Sequence, residues 1–224
     1  MRGCVPMTQH DDSVSMNAFV HQLVVNCLAR GYFFYVQGRI PEGKDPQRIE
    51  AKLSERYGIN VSKWTRARRK KAGLANVMWL RFGRVFFLIA THGRHRFFEE
   101  EAKVIQDVRR VPIKFCDYAI GHYNGHVHVG IEQHAYQRLA DDFLSIALVH
   151  SVEHLATSFE QLPFAPYAPV RKQLREIFNA VNTKRKRAGL ELVPESCLPV
   201  RRMPRLRKPA PQPLRQEEPC NKAA

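Results

Sequence analysis

Residues 118–131 hold the pattern that most restricts how this chain can fold. They read Tyr-Ala-Ile-Gly-His-Tyr-Asn-Gly-His-Val-His-Val-Gly-Ile. The central Asn124-Gly125 pair predicts a two-residue hairpin turn, because both central positions of such a turn need a positive φ angle. The segment therefore predicts two antiparallel strands that pair directly across this turn.

The same turn fixes the two faces of the predicted hairpin, because side chains alternate along a strand and paired residues share a face. One face is expected to join the core and carries Tyr118, Ile120, His122, Val127, Val129 and Ile131. The other face is polar, with small residues around His126 and His128. Residues two apart on a strand lie about 6.6 Å apart and point the same way, so two such imidazoles can bind one divalent metal.

The triplet His126-Val127-His128 on a strand of an antiparallel sheet resembles the HUH endonuclease superfamily. That superfamily includes rolling-circle replication initiators, relaxases and the tyrosine transposases of small insertion sequences. Its two histidines and a third polar ligand hold Mg²⁺ or Mn²⁺, and a tyrosine on a following helix attacks the DNA phosphate and stays linked to the 5′ end. The resemblance covers roughly residues 30–170 and implies metal-dependent single-strand nicking.

The metal ligands that this resemblance implies are His126 and His128, with Glu132 as the third ligand. His134 and Asp117 are alternatives for the third position, because both are close in sequence and neither has a fixed spacing that decides between them. The competing interpretation is a solvated hairpin face on which the two histidines are incidental.

Two tyrosines are candidates for the nucleophile that the resemblance implies. Tyr167 lies at the start of a predicted helix, and Tyr136 lies closer to the end of the strand. Arg171 and Lys172 follow Tyr167 by one turn, and we expect these cations to lower the pKa of its phenol.

The charge of the chain points to nucleic acid as a partner. The 36 Lys and Arg residues exceed the 21 Asp and Glu residues, which gives a formal net charge of +15. Such an excess is typical of proteins that bind phosphate backbones. The predicted contact residues form two groups: Lys63, Trp64, Arg66, Arg68, Arg69, Lys70 and Lys71; and Arg171, Lys172, Lys184 and Arg185.

Each basic group also has a structural interpretation. The cations around Trp64 suit phosphate contacts beside a base-stacking platform. A solvated loop with its tryptophan in the core is equally compatible with this sequence. Lys184 and Arg185 end a predicted helix, where cations also favour the helix dipole. The basic stretch 92–96 follows a strand end, where functional loops often lie, and an ordinary basic turn is its alternative.

The motif His150-Ser-Val-Glu-His154 fits the H-x-x-E-H pattern of a zinc peptidase family. It lies in a run that predicts one long helix from residue 135 to residue 161, which would place both histidines on one helix face. A zinc site would need a third ligand from elsewhere. We therefore keep a zinc peptidase as a remote alternative.

The chain is not expected to interact with a membrane. Its longest apolar run, residues 85–90, is far shorter than the roughly 20 residues of a spanning helix. The N-terminus shows no signal-peptide pattern, and the five scattered cysteines form no Cys-x-x-Cys pair. These features predict a cytoplasmic protein in which Cys27 and Cys116, which lie in apolar segments, are core residues.

The element order is helix, strand, helix, hairpin, connection, hairpin, helix, helix. It predicts an α+β fold with an antiparallel sheet of about five strands and helices packed on one face. The predicted organisation is a flexible leader at 1–14, one domain at 15–193 with its sheet at 30–134 and a helical extension at 135–193, and a disordered Pro- and Arg-rich tail at 194–224.

These features together predict a DNA-binding protein of replication or mobile-element type, with metal-dependent nicking through a tyrosine as its expected chemistry. The alternative from another class is a non-catalytic basic module that binds DNA or RNA. The sequence leaves open whether the protein is an enzyme.

Overall fold

The computed structural model describes residues 15–198, so the predicted leader and residues 199–224 of the predicted tail lie outside the described range. Its helices are α1 Met16–Gln22, α2 Pro46–Tyr57, α3 Lys63–Lys71, α4 Arg96–Glu100, α5 Gln133–Ile146, α6 Val152–Glu160 and α7 Ala168–Arg187. Its strands are β1 Tyr32–Arg39, β2 Val77–Phe82, β3 Val85–Thr91, β4 Gln106–Asp107, β5 Ile113–Phe115, β6 Tyr118–Tyr123 and β7 His126–Ile131.

The strands form two antiparallel sheets, which confirms the α+β class but corrects the prediction of a single sheet. One sheet has the order β2-β3-β1-β4 and the other the order β5-β6-β7. In the first sheet the chain runs strand, helices, hairpin, helix, strand, which is the split β-α-β arrangement. The ladder does not continue from β4 into β5, where Pro112 directly precedes β5 and has no N–H to donate.

The four-stranded sheet is covered on both faces, so the expectation that helices pack on one face only is wrong for it. Along β3, Phe87 and Ile89 belong to a core cluster shared with α1 and the second sheet. Leu88 and Ala90 alternate with them and belong to a second cluster, together with side chains of α2 and α4. Strands buried on both faces read as continuous apolar runs, which explains the sequence of β3.

The C-terminal half departs from the prediction in two places. The run expected to be one long helix ends at Ile146 and restarts at Val152, after Ser151 caps the new helix by accepting a hydrogen bond from the His154 N–H at 3.3 Å. The described domain also extends beyond residue 193, because Cys197 and Leu198 are buried in the core. Residues 194–198 therefore do not belong to a disordered tail.

Candidate nucleic-acid interface and paired histidines

The hairpin at residues 118–131 has the register that its turn predicted. Asn124 and Gly125 have φ angles of 49° and 80°. The pairs across the turn are Tyr123 with His126 and Gly121 with His128. The turn residues alone were enough to predict this register. The prediction is strict, since a slip by one residue would have moved every side chain to the opposite face.

The two faces of the hairpin also match the prediction. Tyr118, Ile120, Val129 and Ile131 are buried in the core, whereas His126 and His128 are exposed. The polar face has less room than expected, because the Tyr123 ring lies over Gly121 and would be 2.7 Å from a Cβ there. The same ring stands edge-on to His128, with 5.7 Å between the ring centroids.

Two of the three candidate third ligands, Glu132 and Asp117, are engaged elsewhere. Glu132 caps α5 by accepting from the N–H of His134, and it accepts a 2.8 Å bond from Lys114 that holds the pKa of its carboxyl below the usual range. Asp117 lies 3.3 Å from an Arg138 nitrogen. Across residues 15–198, no three His, Cys, Asp or Glu side chains converge as a metal site. These residues do not supply the three-ligand set that the resemblance implied.

Neither candidate tyrosine is prepared for attack on a phosphate. The Tyr167 hydroxyl is buried and has no hydrogen-bond partner within the described residues. Burial and the neighbouring Tyr118 raise the pKa of Tyr167 to about 12, so the expected lowering by nearby cations is wrong. The Tyr136 hydroxyl donates to Glu176 at 3.3 Å. Burial is the main cause that raises the pKa of Tyr136, and the Glu176 carboxylate raises it further. Both phenols are therefore protonated near neutral pH.

The H-x-x-E-H motif does not lie on one helix. His150 precedes the Ser151 cap, and only Val152, Glu153 and His154 of the motif belong to α6. The two imidazoles stack face to face, with 4.3 Å between their centroids and 20° between their planes. The shared helix face that the peptidase alternative required is absent.

The first basic group folds as a helix rather than as a loop. Ser62 begins α3 by accepting a hydrogen bond from the Thr65 N–H at 3.1 Å. Trp64, in the first turn, has 82% of its surface exposed. The interpretation that places this tryptophan in the core is therefore wrong.

The residues of α3 divide between a face toward the protein and a face toward solvent. Arg66 and Arg69 are half-buried, and Arg69 donates to the Gly58 carbonyl at 3.2 Å. The exposed functional side chains, which we call the α3 surface, are Lys63, Trp64, Arg68, Lys70 and Lys71. No carboxylate in the part of the chain that the structure describes forms an ion pair with these four cations.

The basic stretch 92–96 pairs with residues 73–75, which follow the C-terminal end of α3. The Ala75 N–H donates to the Arg94 carbonyl at 3.1 Å, and the Arg94 N–H donates to the Gly73 carbonyl at 2.9 Å. Gly93 permits this approach, because a Cβ there would lie 2.6 Å from the Ala75 nitrogen. Arg94 is exposed, and sequence reasoning missed its position next to the end of α3 because only the tertiary pairing creates it.

The second basic group is largely occupied by structural contacts. Arg185 is only 4% exposed and donates to the carbonyls of Ala147, His150 and Glu191, which corrects its assignment to phosphate binding. Lys184 donates to the Leu144 carbonyl at 2.8 Å, near the end of α5.

The remaining cations of this group lie near the start of α7. Lys172 is 4.0 Å from a Glu176 oxygen, and Arg171 is half-buried. The α3 surface is therefore the stronger candidate for a phosphate-binding interface.

Comparison with known proteins does not assign this chain to a family. No protein-family model matches the sequence, and no curated protein matches it. Between residues 15 and 198, none of the helices combines the length and apolar character needed to cross a bilayer.

Proposed function

We propose that this protein binds nucleic acid, chiefly through its phosphates, at the α3 surface. The observation that carries the proposal is that one nine-residue helix presents four exposed cations and an exposed tryptophan. Unpaired surface cations release counterions from a phosphate backbone when they bind it, which is the main source of sequence-independent affinity. The exposed Arg94, which pairs with Leu74, extends the positive surface beyond the end of the helix.

Helix α3 is a better interface than either face of the four-stranded sheet. Small sheet domains that bind single strands use an uncovered sheet face with aromatic side chains. Here the aromatic residues of that sheet are packed into two core clusters, one on each face. Binding by this sheet would require the core to open, whereas the α3 surface already faces solvent.

For the biological setting we propose DNA as the partner, in a cytoplasmic protein of replication or mobile-element type. The support is the His126-Val127-His128 triplet in the hairpin. The same triplet favours metal-dependent nicking as a second candidate function, because both imidazoles are exposed on one face. Incubation with labelled single-stranded DNA and Mn²⁺ tests it: strand cleavage that is lost in His126→Ala/His128→Ala supports nicking, and its absence from the parent removes this candidate.

The binding proposal is tested with two variants that lose equal charge. The first replaces Lys63, Arg68, Lys70 and Lys71 with glutamine; the second replaces four exposed cations outside α3, namely Lys44, Arg48, Lys52 and Lys103. Fluorescence anisotropy of a labelled oligonucleotide at low salt should show an affinity loss of about tenfold or more for the α3 variant only. Equal affinities for both variants would reject α3 as the interface.

A further inference from the structure

We propose that the α3 surface selects nucleic acid with unpaired bases, and that the Trp64 indole is the platform on which a base stacks. This inference rests on the proposed function and names the form of nucleic acid that the same surface takes. Its starting point is the exposure of Trp64, since a large aromatic side chain in water forgoes the free energy of burial. The other tryptophan of the chain, Trp79, is 2% exposed.

The indole is open to a ligand. Over residues 15–198, no aromatic ring packs against Trp64 and no guanidinium lies over it. Trp79 instead stacks on Phe86 with 4.7 Å between the ring systems. The two tryptophans therefore differ in the one property that base stacking requires, a free ring surface.

Helix geometry places cations at useful positions around this ring. Residues three, four and seven positions apart share a helix face, so Ala67, Arg68 and Lys71 lie along the same stripe as Trp64. Ala67 is small and leaves space beside the indole. The rise from Trp64 to Lys71 is about 10 Å, so a strand can place a base on the ring while its phosphates meet Arg68 and Lys71.

The stacking step distinguishes single strands from a duplex. Every base has a π-face, so stacking on tryptophan tolerates any sequence, but in a duplex those faces are already stacked on neighbouring base pairs. Using Trp64 on a duplex would require a base step to open, which costs free energy that an unpaired strand does not spend. Phosphate contacts alone would give no such preference.

The experiment compares three labelled probes that differ in their bases. They are oligothymidylate of about 12 nucleotides, a strand of abasic sites with the same number of phosphates, and a blunt duplex of equal length. Affinities are measured by anisotropy for the parent, for Trp64→Ala, and for Val149→Ala, which truncates another exposed apolar side chain on the turn between α5 and α6.

The parent should bind oligothymidylate about 5- to 150-fold more tightly than the abasic strand, since stacking of one base on an aromatic side chain increases the affinity by about this factor. Trp64→Ala should close that gap and leave the abasic affinity unchanged, while Val149→Ala should preserve the gap. Tryptophan emission of the parent should be quenched by oligothymidylate, and the quenching should disappear in Trp64→Ala because Trp79 is buried.

Two failures are distinguishable. Equal binding of oligothymidylate and the abasic strand, or a gap that persists in Trp64→Ala, overturns the stacking inference and leaves phosphate binding by α3 in place. If the parent binds none of the three probes at low salt, the proposed function and the stacking inference are both overturned.

Discussion

Replacing Arg185 with methionine should destabilise the fold without weakening nucleic-acid binding by the folded protein. The guanidinium is 4% exposed and joins two separate loops. It donates to the Ala147 carbonyl at 2.7 Å and the His150 carbonyl at 2.9 Å in the turn between α5 and α6. It also donates to the Glu191 carbonyl at 2.6 Å, beyond the end of α7.

The size of the effect follows from these three bonds. A hydrogen bond to a charged group contributes about 1.5–3 kcal/mol, and a buried carbonyl left without a partner adds a desolvation penalty. Removal of a buried charge also recovers part of the cost of burying it, so we expect a net loss of about 3–5 kcal/mol in the free energy of unfolding. For a chain of this size, the melting temperature should fall by roughly 6–20 °C.

The assay is thermal unfolding followed by circular dichroism, with Lys186→Met as the matched control. Lys186 is the next residue of α7 and is exposed, so its replacement should change stability by less than about 0.5 kcal/mol. If Arg185→Met melts like the parent but binds oligonucleotide more weakly, Arg185 contacts phosphate and the structural role assigned to it is wrong.

Three further predictions concern single sites. Tyr167→Phe should raise stability by about 1 kcal/mol, because it removes a buried hydroxyl that has no hydrogen-bond partner within residues 15–198. Burial raises the pKa of Tyr167 to about 12, from about 10 in the unfolded chain, so the parent should also lose more stability than this variant as the pH rises from about 10 to 12. Equal losses for the two proteins in denaturant unfolding across this pH range would contradict this. His126→Ala/His128→Ala should keep the parent melting temperature, because both imidazoles are exposed; an unfolded variant would show that they support the core. Leu198→Ala should lower the free energy of unfolding by about 2 kcal/mol, because Leu198 is buried; an unchanged value would place the domain end before it.

The parts of the fold that the sequence predicted correctly depend on local chemistry. Asn124-Gly125 fixed the hairpin turn, and strict alternation around it fixed which side chains are buried. The break between α5 and α6 was missed for the opposite reason. The apolar spacing continues through it, and the bonds that hold the turn come from Arg185, 35 residues beyond His150.

The candidate site was only partly predictable for a related reason. Residues 63–71 have no apolar stripe, so periodicity could not distinguish a helix from a loop, and the exposure of Trp64 depends on how α3 packs. Cations also look alike in a sequence. Arg185 binds buried carbonyls while Arg68 faces solvent, and only tertiary contacts separate these roles.

The most direct test of the central claim is the salt dependence of oligonucleotide binding. For the parent, the logarithm of the association constant should fall steeply and linearly with the logarithm of salt concentration. The variant with glutamine at Lys63, Arg68, Lys70 and Lys71 should have a slope smaller by about 0.7–0.9 for each phosphate that it no longer neutralises, or about 3 in total, while the equally charged control variant should keep the parent slope. A parent slope near zero, or equal slopes for the parent and the α3 variant, would contradict phosphate binding at α3.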